Sequence, residues 1–83
     1  SWSSVYNVST KTKDKNVVRG KGVVIGGKNN LIESKNHFTA LVGVSDMAVI
    51  ATPDAILVVS KDKAEQVKDV VNYLEKHNKD ELL

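Results

Sequence analysis

The fold is decided by the stretch ALVGVSDMAVIATPDAILVV, residues Ala40 to Val59 of an 83-residue chain. Two apolar runs, Met47 to Ala51 and Ala55 to Val59, flank the turn Thr52, Pro53, Asp54. Both runs are short and rich in β-branched side chains, which suit a pleated surface better than a helix. Pro53 has no amide hydrogen and a fixed φ, so it cannot sit within a central strand and marks a corner between two strands. The runs are nearly continuously apolar, where a half-solvated strand would alternate. At least one of the two strands is therefore expected to be covered on both faces.

Upstream, from Asn16 onward, the same punctuation continues. Short apolar runs (Val17–Val18, Val23–Ile25, Leu31–Ile32, Phe38–Val44) are separated by Gly20, Gly22, Gly26, Gly27, Asn29, Asn30, Asn36, Gly43 and Asp46. A spacing of about seven to ten residues fits either a small meander or the irregular coils of a β-helix, and periodicity does not separate the two. Ser9 to Lys15 is polar throughout and reads as a linker. Ahead of it, Trp2, Val5 and Tyr6 stand at helical spacing, as in the last turns of a helix whose apolar face packs on something outside the chain.

Downstream, Asp62 to His77 reads as an amphipathic helix. Asp62 and Glu65 have the spacing of a capping box. Val67, Val70, Val71 and Leu74 form an apolar stripe, with Lys63, Lys68, Asp69, Asn72 and Lys76 facing away. The stripe is expected to cover the strands, each side chain contributing about 1.5–3 kcal/mol. Asn78 is the expected stop, and the last five residues are expected to fray. The expected organisation is thus 1–15, the end of an upstream domain plus a polar linker; 16–60, β-helix-like strands; 61–78, a covering helix; and 79–83, a frayed tail. The fold class is mainly β with one C-terminal α-helix and a short N-terminal helical turn.

A chain of this length holds one small domain with a marginal core. It has no cysteine, so neither a disulfide framework nor a thiolate metal site is available. Twelve basic residues oppose ten acidic ones. Seven of the basic residues fall within residues 1–35, against two acids, a distribution read as a solvated surface with polyanion binding as the alternative. Gly43, Asp46 and Asp54 interrupt the longest apolar candidate, which falls short of the roughly twenty residues that span a bilayer. A soluble, cytoplasmic protein without membrane contact is expected. There is no initiator methionine, and the abrupt opening on Ser1 and Trp2 reads as a piece of a longer protein.

The residues offer little chemistry. Gly20, Gly22 and Gly26 resemble a nucleotide-binding pattern, but Ile25 stands where the third glycine belongs and no helix follows, so they read as turn glycines. His37 and His77 lie in different elements, without the ligand spacing that zinc needs. They are placed at a strand edge and near a helix C-terminus. Asp46 and Asp54 read as carboxylates serving their own turns. No histidine is placed to activate a serine. Trp2 and Tyr6 do not interleave with the lysines, so nucleic-acid binding is not indicated. No catalytic, cofactor-binding or metal-ligating residue is assigned.

The order of residues carries more. Asn16, Gly20, Asn30-Leu31-Ile32, Ser34, Val42-Gly43-Val44, Asp46, Thr52-Pro53-Asp54-Ala55, Leu57-Val58, Val67-Lys68, Val71 and Leu74 together resemble the segment that follows the catalytic domain in bacterial mannose-1-phosphate guanylyltransferases, including those fused to a mannose-6-phosphate isomerase. Ser1 and Trp2 resemble the end of the tryptophan-containing motif that closes that family's nucleotidyltransferase domain. Its metal-binding aspartate would precede Ser1. The resemblance implies a short, single-stranded, left-handed β-helix with a helix beside it, acting as a non-catalytic linker that contributes to dimer contacts. Magnesium, GTP and mannose 1-phosphate would be bound by the parent enzyme alone. The implied partners are the upstream nucleotidyltransferase domain and a second copy of the chain. Lys21 and Ala51 depart from the family, which often has an acid at each position. The alternatives are a free-standing β-rich adaptor and an oligomerisation module with no sugar-nucleotide parent.

Overall fold

A computed structural model describes residues 2–83, and Ser1, tied above to the upstream motif, lies outside the described residues. Helix α1 (Trp2–Val8) precedes strands β1 (Val17–Ile25), β2 (Leu31–Val42), β3 (Met47–Ala51) and β4 (Ile56–Ser60). A 3-10 segment over Lys61–Gln66, helix α2 (Val67–Lys76) and a 3-10 turn over Asp80–Leu82 complete the chain. The four strands form one sheet in sequence order.

Strand direction settles what periodicity left open. β1 on β2 and β2 on β3 are parallel, and only β3 with β4 is antiparallel. Neighbouring strands of a meander run antiparallel, whereas parallel neighbours need the chain to travel back between them. Here the strands themselves make that journey. The β1–β2 register breaks after Gly20↔Ser34 and resumes at Gly22↔Thr39, so β1 turns the corner with Lys21 while β2 uses Lys35–Phe38. This corner requires glycine at 20, where φ is +96° and a Cβ would lie 2.0 Å from the Ser34 carbonyl oxygen.

Val17, Leu31, Ala48 and Val59 form a row of matched partners across all four strands, and each is buried. Trp2, Tyr6, Ile50 and Val67 pack against this row. Because alternate residues of a strand point to opposite faces, Ile32 and Val49 face the other way, and they are buried too. β3 is thus covered on both faces, as its continuous apolar run requires. Pro53 sits in the turn joining β3 to β4, where the Thr52 amide donates to the Ala55 carbonyl at 2.8 Å.

The termini differ from the sequence reading. The apolar face of α1 packs on this chain's own core through Trp2 and Tyr6, not on something outside it. The C-terminal helix begins five residues later than expected, and no capping box forms; the Asp62 carboxylate accepts from the Ser60 hydroxyl. Nor does α2 cover the strands. Only Val67 reaches the core, no residue of α2 is buried, and Val70 and Val71 are 45% and 38% exposed. The chain is elongated accordingly, 41 × 26 × 24 Å. The tail is turned rather than frayed: the Lys79 amide donates to the Leu74 carbonyl at 2.8 Å.

Candidate functional site

One corner of the coil repeats three times. Lys15, Asn29 and Asp46 all have φ between 61° and 65°, and each immediately precedes Asn16, Asn30 or Met47, the residue that leads into a strand. Asparagine and aspartate tolerate this left-handed backbone better than most side chains. The corners stack through main-chain bonds, Asn29 N–H to the Asp14 carbonyl and Asp46 N–H to the Lys28 carbonyl, both 3.0 Å.

Inside this corner the side chains continue the stacking. Asn16 Oδ1 accepts from the Asn30 amide at 3.0 Å, and Asn30 Oδ1 accepts from the Met47 amide at 3.0 Å. Below them, the Asn16 amide donates to Thr12 Oγ1 at 3.1 Å. Each asparagine also donates from Nδ2 to a carbonyl three residues before the next rung, Asn16 to Gly27 and Asn30 to Val44, both at 3.0 Å. The two asparagines are buried, and every polar atom they bring inside has a partner. That is the condition for a buried polar group to contribute stability instead of costing it.

Outside the same corner sits Tyr6 of α1. Its hydroxyl lies 2.8 Å from the Lys15 carbonyl and 2.7 Å from Asn29 Oδ1, two acceptors for its one proton. Asn29 Nδ2 donates onward to Asp46 Oδ1 at 2.6 Å. Lys61, just after β4, donates to Asn29 Oδ1 at 3.2 Å and places its ammonium 3.3 Å from the centre of the Tyr6 ring. Lys11 approaches that ring at 4.6 Å and donates to the Ser9 carbonyl beyond the end of α1. Tyr6 therefore engages the first two rungs directly, the third through Asn29, and the segment beyond the sheet through Lys61.

The electrostatics follow the packing. Burial pushes the Tyr6 hydroxyl pKa up, and the Asp46 carboxylate adds to it. Burial pushes the Lys61 ammonium pKa down, with Lys11 adding to that effect and Asp46 opposing it. The hydrogen bond from Ser60 lowers the Asp62 carboxyl.

The residues weighed for chemistry stay apart. His77 caps the end of α2, stacked on Tyr73 with ring centres 4.1 Å apart. The carbonyl of His37 accepts from Ser34 Oγ inside β2, so this residue lies at the mid-strand corner where the β1–β2 register breaks. Asp46 serves Asn29, whereas Asp54 lies in the β3–β4 turn. Among the described residues, no three His, Asp or Glu side chains converge to hold a metal ion. A shallow groove of about 580 Å³ beside Arg19, Glu33, Thr52 and Pro53 holds the Arg19–Glu33 ion pair at 3.8 Å. The sequence reading missed Tyr6 and Lys61, whose roles depend on which residues the coil brings together. The ladder did leave a signal: Asn16-Val17-Val18 and Asn30-Leu31-Ile32 repeat one pattern 14 residues apart.

A stacked-coil architecture is also what comparison with known proteins finds. The family described as MannoseP isomerase/GMP-like beta-helix domain matches residues 20–74. The chain belongs to this family. Among its relatives, the mannose-1-phosphate guanylyltransferase of Salmonella muenchen is 38% identical over 81 residues, which is 98% of this chain and 17% of that protein. The putative mannose-1-phosphate guanylyltransferase of Vibrio cholerae is also 38% identical, with the same coverage. A crystal structure described as mannose-1-phosphate geranyltransferase from Thermus thermophilus superposes with a TM-score of 0.77 at 32% identity, covering 89% of this chain and 23% of that one. The β-helix domain chain thus spans about one-sixth of the length of these curated relatives. Among the described residues, no helix is long and apolar enough to cross a membrane.

Proposed function

We propose that the chain is a non-catalytic linker and dimerisation segment of a cytoplasmic mannose-1-phosphate guanylyltransferase. The parent converts GTP and mannose 1-phosphate to GDP-mannose and pyrophosphate. Magnesium, nucleotide and sugar phosphate are bound by the parent's nucleotidyltransferase domain, and the segment supplies geometry. The observation that carries this reading is the seat of α1. Tyr6, Asn29, Asp46 and Lys61 direct their polar atoms at one another, an arrangement that fixes one helix against a stack of coils. A rigid seat of this kind sets the direction in which the chain before α1 leaves the β-helix. Incubation of the isolated 83 residues with GTP, mannose 1-phosphate and Mg2+ is expected to yield no GDP-mannose. Measurable turnover would refute the non-catalytic role.

A further inference from the structure

Among the described residues no strand pairs with the outer edge of β4, and the β3–β4 ladder fixes which of its backbone groups face outward. Lys61 N–H donates to the Asp46 carbonyl and Thr52 N–H to the Ala55 carbonyl, so 46/61 and 52/55 are hydrogen-bonded pairs. Bonded and non-bonded pairs alternate in an antiparallel ladder. With Ala48↔Val59, Val49↔Val58 and Ile50↔Leu57 between them, the bonded pairs are 48/59 and 50/57. The amides and carbonyls of Ile56, Val58 and Ser60 therefore point away from β3. No strand takes them, because β4 ends the sheet among the described residues.

Edges left open in this way are ordinarily protected by a charge, a proline, a bulge or a covering helix. Ile56–Ser60 has no charge and no proline, and its pairing with β3 is unbroken. Helix α2 leaves Ile56 and Val58 62% and 58% exposed.

We propose that β4 pairs antiparallel with β4 of a second copy, about a two-fold axis through Val58. This rests on the dimerisation reading above and names its surface. The outward groups are self-complementary in that register: Val58 faces its own counterpart, and Ile56 faces Ser60 of the second copy on both sides of the axis. Charge is compatible as well. A charged residue at the axis would face itself, and the whole strand is neutral in a chain that is 27% charged. Closed two-fold pairs of this kind are the commonest symmetric assembly. A stable interface takes about 800 Å² from each partner, about one-seventh of the 5675 Å² that this chain exposes. A five-residue edge alone falls short of that. The pairing accordingly takes in the adjoining groove of about 340 Å³, where Leu57, Val58, Val67 and Val70 present apolar surface.

The test is sedimentation equilibrium of the 83-residue chain, with hydrogen exchange of single amides. Two variants are used. Val58→Pro removes an outward amide that the β3 ladder does not use, and Val58→Lys places a charge on the axis. The wild-type chain is expected to be dimeric at high concentration, with the Ile56, Val58 and Ser60 amides exchanging about tenfold more slowly than after dilution to monomer. Both variants are expected to be monomeric, with unchanged circular dichroism. Should the proline variant fail to fold, the lysine variant decides. A folded Val58→Lys that stays dimeric overturns edge pairing and leaves dimerisation standing. A wild-type chain that is monomeric at every concentration overturns both. Slow exchange of the three amides that does not depend on concentration, measured in a longer parent chain, means that another strand of the same polypeptide occupies the edge, and it overturns the proposal.

Discussion

Replacing Asn30 by alanine removes the central rung of the asparagine ladder, and the structure allows its cost to be worked out atom by atom. The side chain is fully buried. Its Oδ1 receives the Met47 amide at 3.0 Å, and its Nδ2 donates to the Val44 carbonyl at 3.0 Å and to Asn16 Oδ1 at 3.2 Å. Asn16 Oδ1 keeps the Asn30 main-chain amide at 3.0 Å, so it loses little. The Val44 carbonyl loses its side-chain donor. The Met47 amide, at the head of the central strand β3, loses its acceptor. An unsatisfied buried donor costs about 1–3 kcal/mol, and the vacated carboxamide volume adds a cavity term, for a total of about 2–4 kcal/mol. A domain of this size seldom holds more than about 3–5 kcal/mol, so Asn30→Ala is expected to lie near its unfolding midpoint without denaturant. Urea titration followed by the fluorescence of Trp2, the sole tryptophan, which packs against the core, measures this directly. Asn30→Asp sharpens the test. It keeps the acceptor for Met47 but aims a carboxylate at two oxygens, and burial raises its pKa. A raised carboxyl pKa makes stability fall as pH rises through it, so this variant should be more stable at about pH 4 than at pH 7 relative to wild type. A loss below about 0.5 kcal/mol for Asn30→Ala, the range of an ordinary surface substitution, would refute the ladder as the element that holds the rungs in register.

Tyr6→Phe keeps the ring beneath Lys61 but deletes the hydroxyl at Asn29 and Lys15, and should lower the urea-derived stability by about 1 kcal/mol. The same variant tests the alkaline limb. Because the Tyr6 pKa is raised above 10.0, the unfolded chain loses this proton first, and stability falls as pH rises from about 10 through the folded value. Lys61, lowered from 10.5, contributes the opposite slope below that pH, so the difference between wild type and Tyr6→Phe isolates the tyrosine; it should shrink above pH 10. Gly20→Ala meets the Ser34 carbonyl and an unfavourable φ together, and should cost more than the roughly 1 kcal/mol of a simple left-handed glycine replacement, read as a drop in Tm. Val71→Ser on the exposed side of α2 should change the stability of the dilute chain by no more than about 0.5 kcal/mol. A loss above about 1.5 kcal/mol would mean that the helix does pack on the strands.

Much of the β region was legible because its signals are local. Pro53 cannot enter a ladder, and of two unbroken apolar runs at least one needs cover on both faces, so the corner and one fully covered strand follow from residue chemistry. The choice of β3 over β4 does not: β4 is just as apolar and leaves Ile56 and Val58 exposed. The fate of the amphipathic helix was not legible. A 3.6-residue apolar stripe shows that one face seeks burial, but it does not identify the surface that buries it. Asp62 and Glu65 have capping-box spacing, yet the Asp62 carboxylate accepts from Ser60, and the chain runs as a 3-10 segment over Lys61–Gln66 before α2 begins at Val67. The corner that seats α1 was equally hidden. Tyr6, Asn29 and Lys61 are separated by 23 and 32 residues, and only the coil path brings them into contact.

That path also explains why asparagines, rather than apolar side chains alone, hold the stack. Successive rungs are 14 and 17 residues apart, from Asn16 to Asn30 and from Asn30 to Met47, so no constant repeat sets the alignment of one coil on the next. Apolar packing is a weak ruler here. A slip of one residue exchanges the two faces of a strand, and both faces of β3 are apolar, so hydrophobicity penalises the slip little. A carboxamide that must meet one main-chain amide above it and one carbonyl beside it is far less tolerant, since a slipped rung leaves several buried polar groups unpaired at once. Tyr6 then contacts what the ladder has aligned. Its acceptors belong to the first and second rungs, Asn29 ties it to the third, and Lys61 arrives from beyond β4. All of these positions exist together only when the coils are stacked in register, which makes the direction of α1 a consequence of the completed β-helix and not a property of the helix itself.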